Sequence, residues 1–270
     1  MTFEFLDGLD SDLKQTVLNQ LRDLWTHTST AIEGNTLTLG DTKFILEEGL
    51  TVSGKPIKDH QEVIGHAKAI ELIYSYLGRD LTALDFFALH KAIQSEQILD
   101  TNKPYGAWKT EPNGTYALND AGKQVFIEYA LPQSVPALMR ELISVLNGMN
   151  HTPLSLVDAP RTYAKIHMGI AHIHPFWDGN GRIARLVANI PLLNAGLPPI
   201  VIASEDRREY LETLANYQQI IGPIQENTGV WPDESLLLDF EYFCAKSYET
   251  TKELVERARE QQERRNSNTN

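Results

Sequence analysis

Along most of this chain apolar residues return every third or fourth position, and the stretch where they do not marks the exception to an otherwise helical pattern. Leu13, Val17, Leu21, Leu24 and Trp25 follow Ser11 at helical spacing, which predicts a helix capped by Ser11 and running toward Gly34. The same period runs through KDHQEVIGHAKAIELIYSYL and LTALDFFALHKAIQSEQIL. SVPALMRELISVLNGM opens with a serine suited to capping and a proline suited to a first turn. RTYAKIHMGIAHI and RIARLVANIPLLNAG flank a short loop, the second closing at Gly196 with prolines beyond. Ser204 is expected to cap a helix through EYLETLANYQQIIG, and PDESLLLDFEYFCAKSYETTKELVERAREQQERR forms a long last helix whose final turns are wholly polar.

The exception lies between Lys103 and Pro132, where prolines, glycines and asparagines crowd together and YAL and VFI flank the turn-like NDAGKQ. That pattern predicts a small β-hairpin in a mainly α protein. No internal repeat or linker divides the chain, so one compact domain is the simplest count.

Composition narrows the function. Lys and Arg number 24 against 36 Asp and Glu, a formal charge of -12, which argues against general nucleic-acid binding because phosphate backbones recruit basic surfaces. Any polyanion must meet a local arginine cluster. Cys244 stands alone, excluding an internal disulfide and cysteine-rich zinc sites. The opening MTFEFLDGLDSD has neither a basic start nor an apolar core, and no apolar run reaches membrane-spanning length. Neither export nor a membrane span is expected, and a cytoplasmic location follows.

The densest chemistry is HPFWDGNGR, residues 174–182. A glycine-rich loop opening a helix presents unpaired N–H groups and the positive end of the helix dipole, which together make an anion cradle. Gly179 and Gly181 allow close backbone approach, Arg182 supplies a forked cation, and Arg185 lies on the same helical side. Two arginines and a cradle suit at least a diphosphate and more naturally a triphosphate. Asp178 could hold a magnesium ion bridging phosphate oxygens. His174 is then the group whose pKa suits a general base taking a proton from an attacking hydroxyl. His167, His172 and His174 could instead form a metal site, but their spacing does not match the helical HExxH pattern. Phe176 and Trp177 are expected to anchor the loop in the core.

HPFWDGNGRIAR, from His174 to Arg185, resembles the Fic family signature HxFx[DE]GNGRxxR at every fixed position. Looser resemblance extends through FFALHKAI, GAWKTEPNG with the hairpin, SVPALMREL and DRREYLETL. The resemblance implies a Fic-type helical bundle with a small β-hairpin flap: an N-terminal helical region with the inhibitory motif over residues 1–60, a core over 61–205, C-terminal helices over 206–263 and a disordered tail over 264–270. It also implies transfer of AMP from ATP to a hydroxyl side chain of a target protein, or of the chain itself, with pyrophosphate released and Mg2+ assisting. His174 would deprotonate the target hydroxyl, Asp178 would hold the metal, Gly179, Asn180 and Gly181 would line the cradle, and Arg182 and Arg185 would hold the terminal phosphates. The hairpin from about Tyr116 to Ile127 would be the flap that aligns a target segment by strand-like pairing. The kinase-like Doc branch carries Ala and Lys where this chain has Gly179 and Gly181, so AMP transfer is favoured over phosphate transfer. On the resemblance alone, Tyr210 is a candidate for the base pocket.

STAIEGN, residues 29–35, places Glu33 at the end of the first helix, where the dipole disfavours a carboxylate. A capping box of Thr30 with Glu33 would be cut off at once by Gly34 and Asn35, so Glu33 is expected to have a cationic partner elsewhere. In Fic proteins [ST]xxxE[GN], matched by Ser29, Glu33 and Gly34, marks a self-inhibitory helix whose glutamate pairs with the second signature arginine, here Arg185. Two alternatives stay open: removal of AMP from a modified protein at the same site, and a non-catalytic ATP-sensing module, against which an intact His174 and Asp178 argue. The target, the nucleotide base and self-association are not legible, and a DNA-binding role is not expected.

Overall fold

The computed structural model describes residues 3–94, 102–118, 123–150 and 152–269. Its centre is α6 (Ala159–Ile173), buried almost all round, with Tyr163, Ala164, Ile166, Met168, Ile170 and Ile173 in the main core. A helix apolar on every face belongs inside a bundle. Gly169 permits this crowding, because a Cβ there would lie 2.8 Å from Leu142 and 2.9 Å from Trp231. Around α6 stand α5 (Val135–Met149), α7 (Asn180–Val187), α8 (Ile190–Asn194) and α10 (Leu238–Thr269). The N-terminal layer comprises α1 (Ser11–Ile32), α2 (Leu39–Glu48), α3 (Ile57–Ser75) and α4 (Ala83–Ile93), and α9 (Arg207–Ile221) completes the bundle.

The apolar stripe of α1, from Leu13 through Val17 and Leu21 to Trp25, is buried as the periodicity required. Ser11 is the first helical residue and Asp10 the cap. Asp10 takes that place because its N–H donates to Gln262 Oε1 of α10 at 2.7 Å, tying the start of the chain to its last helix. That helix continues to Thr269, through the segment expected to be a disordered tail. Arg265 explains the continuation, bonding Asp10 at 3.2 Å and Asp12 at 2.7 Å.

The hairpin pairs β1 (Gly114–Leu118) with β2 (Gln124–Glu128) antiparallel, Tyr116 opposite Phe126. Ile127 and Ala117, on one face, pack with Tyr129 against Ala215 of α9, while Tyr116 and Phe126 stand exposed on the other. Most of the turn expected in NDAGKQ, residues 119–122, lies outside the described residues. The helix expected to run on through QSEQIL instead ends at Ile93, where Gln94 turns extended (φ -80°, ψ 113°) while its backbone N–H still donates to His90 O; residues 95–101 lie outside the described residues.

Three local expectations are corrected. RIARLVANIPLLNAG is two helices, α7 and α8, because Pro191 cannot donate to the preceding turn. Asn189 fills the break, its Nδ2 donating to Arg185 O and Ile200 O while its Oδ1 accepts from Ile200 N–H. Ser134 precedes α5 in helical conformation with no side-chain cap bond. Ser204 opens a 3-10 turn, Ser204–Asp206, and bonds Glu205, leaving Asp206 next to α9.

Candidate functional site

α6 ends by turning sharply. His174 has φ 52° and ψ 59°, the one non-glycine residue with positive φ among those described, while its N–H still donates to Ile170 O at 2.9 Å. The left-handed region costs a residue that carries a Cβ free energy, so surrounding contacts must hold it there. Phe176 locks the next step, fully buried and stacked on His90 at 4.2 Å. Asn180 closes the loop, its Oδ1 accepting from Phe176 N–H and its Nδ2 donating to Phe176 O, both at 2.8 Å. Asn180 was expected to line the cradle, yet its side chain faces inward and only its backbone N–H is offered. Trp177 is half-exposed under Lys103, whose Nζ lies 5.0 Å from the ring, so Phe176 alone is the core anchor.

Gly179, at φ 78°, starts α7, where a Cβ would lie 2.7 Å from Ile93. The first N–H groups of α7, from Asn180 to Arg182, precede the first intrahelical bond, which Ile183 makes to Gly179 O. They form the cradle that the glycine pattern implied.

The two arginines diverge. Arg182 turns toward α4 and the loop, donating to Ile93 O at 3.1 Å and to Asp178 Oδ2 at 3.2 Å. Arg185 crosses to α1 and α9. Its Nε donates to Ser29 Oγ at 3.0 Å, one terminal nitrogen to Ser29 O at 2.9 Å and Glu33 Oε1 at 2.6 Å, and the other to the Tyr210 hydroxyl at 3.1 Å. Burial pulls its pKa down, but Tyr210 and Glu33 more than offset this and hold the guanidinium above its ordinary range. Glu33 is the C-cap of α1, and Gly34 follows at φ 97°. The carboxylate placed against its own helix dipole therefore has the cationic partner its position demanded.

His174 lies flat on Tyr129, ring centroids 3.8 Å apart and planes 2° from parallel. Its Nδ1 is 3.3 Å from Ala171 O, so Nδ1 carries the proton and donates, leaving Nε2 as the acceptor. Burial, and then the charge of Lys109, push its pKa down to about 3, so the ring is neutral at physiological pH. His174, Gly181, Arg185 and Glu33 line one cleft of about 1040 Å³ with Tyr116 of the hairpin and Tyr210 also on its wall. Asp178 sits nearby with its side chain 50% exposed and, among the described residues, its Oδ2 accepts from Arg182 and Gln94.

Residues 80–192 match the Fic/DOC family. The chain carries a Fic/DOC family domain. It is 31% identical over 195 residues to the protein adenylyltransferase fic-1 of Caenorhabditis elegans, covering 71% of this chain and 35% of that protein. It is 35% identical over 201 residues to the protein adenylyltransferase Fic of Nematostella vectensis, covering 71% and 43%. The chain thus spans 35% to 43% of the length of these curated relatives. Among solved structures, a Fic domain containing signaling protein from Bacteroides thetaiotaomicron superposes with a TM-score of 0.80 at 29% identity, covering 95% of this chain and 94% of that one. A Caenorhabditis elegans Fic-1 structure gives 0.72 at 25% identity over 96% and 69%.

The Fic domain contains the hairpin and the whole signature loop, whereas Glu33 and Tyr210 reach the site from outside the matched residues. Tyr210, a candidate for the base pocket, lies on the cleft wall. It is 1% exposed, and its hydroxyl bridges Arg185 and His167 Nε2, the latter at 3.0 Å. Sequence reasoning missed Tyr129, which stacks on His174, and Lys109, a lysine only 3% exposed. Neither belongs to a spacing pattern, because both reach the loop across the fold. Among the described residues no group of three or more His, Cys, Asp or Glu could hold a metal, and the triple-histidine alternative falls with that: His172 Nε2 bonds Gly222 O and His167 bonds Tyr210. No helix among the described residues is long and apolar enough to cross a membrane.

Proposed function

We propose that this chain transfers AMP from ATP to a hydroxyl side chain of a target protein and that Glu33 restrains the reaction. The observation that carries this reading is the convergence of a neutral His174, the α7 N–H cradle at Gly181, and Arg185 on one cleft. The names of the relatives, protein adenylyltransferases, support the same reaction class.

The chemistry follows from the geometry. His174 Nε2, unprotonated and free, accepts the proton of the target hydroxyl as its oxygen attacks the α-phosphorus. A P–O bond forms to the target, the bond to the bridging oxygen breaks, and pyrophosphate leaves. The α7 N–H groups and Arg185 hold phosphate oxygens, and their fixed orientation means little reorganisation as charge develops. Asp178 fits a magnesium ion: one half-exposed carboxylate beside the cradle is what Mg2+ uses when substrate phosphates and water supply its other ligands. Bound there, the ion would neutralise phosphate charge. The two-stranded flap leaves edge N–H and C=O groups for a target strand, beside the exposed Tyr116 and Phe126.

Restraint comes from competition. The Arg185 nitrogen that meets Glu33 at 2.6 Å cannot give the same bond to a γ-phosphate, and the carboxylate repels the phosphate as well. AMP removal from a modified target is a second reading, favoured by one observation: Glu33, with its side chain 40% exposed, shares the cleft with His174 and could orient a water.

The test incubates wild type and His174→Ala, each with and without Glu33→Gly, with α-labelled ATP, Mg2+ and candidate targets. Label on protein that depends on His174 is the expected result. No label from the released chain with any target would overturn AMP transfer, and AMP release from a pre-modified protein would move the assignment to removal.

A further inference from the structure

Three carbonyls on either side of His174 are tied, directly or through Asn113, to one buried lysine that the mechanism above does not use. Lys109 Nζ donates to Asn113 Oδ1 at 2.6 Å and to Ile173 O, the last carbonyl of α6, at 3.4 Å. Its backbone N–H donates to Pro175 O at 2.8 Å. Asn113 carries the tie further: its Nδ2 donates to Phe176 O at 3.1 Å, and its own carbonyl accepts from Tyr129 N–H at 3.2 Å. Lys109 and Asn113 therefore grip the carbonyls of Ile173, Pro175 and Phe176, on both sides of the strained His174, and also grip the backbone of the residue on which the imidazole stacks.

We propose that Lys109 is a positioning residue that braces the left-handed His174 and couples it to the root of the flap. The proposal rests on the reading of His174 as the base.

A lysine is a costly way merely to fill this space. Taking an ammonium out of water with incomplete partners is unfavourable, and a methionine of similar reach would pack without that cost. The Lys109 ammonium has two oxygen acceptors and the face of Tyr129, 6.0 Å from its centroid. The incomplete solvation shows in its pKa, which burial pushes down to about 7. Two returns are specific to a cation or strong donor here. It satisfies a C-terminal carbonyl of α6, where the helix dipole favours positive charge. It also disfavours a second positive charge on His174, keeping Nε2 an acceptor. The other groups facing His174 are Asp178 from the loop, which pulls the other way, Tyr129 from the flap root, and Glu33, Arg185 and Tyr210 across the cleft.

The experiment uses the full chain with Glu33→Gly as the released background and compares Lys109→Met, Lys109→Arg and Asn113→Ala. Lys109→Met and Asn113→Ala are expected to lower kcat on the order of ten- to a hundredfold, as loss of alignment does, with KM for ATP unchanged within about twofold. Lys109→Arg restores most of the loss. A second readout needs no activity: the His174 ring nitrogen resonances at neutral pH shift in Lys109→Met and Asn113→Ala and stay in place in Lys109→Arg. Unchanged resonances in both variants would overturn the brace, as would a full kcat in either. A released chain that transfers no AMP to any target would defeat the proposed function instead, and the resonances would still decide the brace. Should Lys109→Met fail to fold, Asn113→Ala carries both readouts.

Discussion

Replacing Glu33 by glycine removes one bond from a residue that has several. Arg185 keeps Ser29 Oγ, Ser29 O and the Tyr210 hydroxyl, so its guanidinium stays aimed at the cleft while the N–H that a terminal nitrogen gave Glu33 at 2.6 Å is released. The gross Coulomb attraction at that distance is about 6 kcal/mol for an effective dielectric of about 20. The Glu33 side chain is 40% exposed, so water screens much of this, and a charged hydrogen bond of about 1.5 to 3 kcal/mol is the better measure. At about 1.4 kcal/mol per factor of ten, release corresponds to roughly ten- to a hundredfold faster AMP incorporation. The backbone tolerates the change, since Glu33 caps α1 at φ -86° and ψ 3°. The assay is the initial rate of label transfer from α-labelled ATP at saturating nucleotide. Glu33→Gln, which keeps a neutral acceptor, is expected to fall between wild type and Glu33→Gly. Equal rates in wild type and Glu33→Gly would refute the competition argument, whatever the absolute rate.

Three further outcomes are expected. Tyr210→Phe leaves a buried Arg185 N–H and His167 Nε2 without their shared partner, which should cost about 1 to 3 kcal/mol and lower Tm in calorimetry by several degrees. A Cβ at Gly181 would lie 2.6 Å from Glu33 Oε1, so Gly181→Ala should destabilise the wild type more than the Glu33→Gly chain, and denaturant unfolding of the four variants should show a non-additive coupling. Acid should unfold the protein steeply: His90 and His172 are pushed to about 4, and His66 and His167 well below their ordinary value, all chiefly by burial. Because the unfolded chain binds these protons first, their stability is intact above about pH 6.5 and is lost as pH falls toward 4, by up to about 1.4 kcal/mol per pH unit for each histidine. A Tm that is flat between pH 7 and pH 4.5 would contradict that assignment.

Much of the site was legible because its parts are local. The run from His174 to Gly181 contains a helix end, a glycine turn and a helix start, and each of those can be read from residues a few positions apart. Glu33 was legible for another reason: a carboxylate against the negative end of its own helix implies a partner, although only the signature resemblance named Arg185. Asn180 shows where local reading fails, since the same asparagine can face a phosphate or lock the loop, and the buried carbonyl and N–H of Phe176 decide for the lock. Likewise the pairing of Arg185 and Arg182 on one helical side was sound geometry, but α1 and α9 draw one away while α4 and Asp178 draw the other.

Periodicity and turn chemistry by themselves determined the mainly helical fold, the hairpin and the glycine loop that opens α7, because backbone hydrogen bonding and the burial of one helix face act over a few residues. Packing alone decided which groups surround His174. Lys109 and Tyr129 reach it from the segments before and after the hairpin, and Ser29, Glu33 and Tyr210 meet Arg185 from the two ends of the chain. Such meetings depend on how whole helices stack: burial there keeps the histidine neutral, while Tyr210 and Glu33 hold the buried arginine charged against the same desolvation.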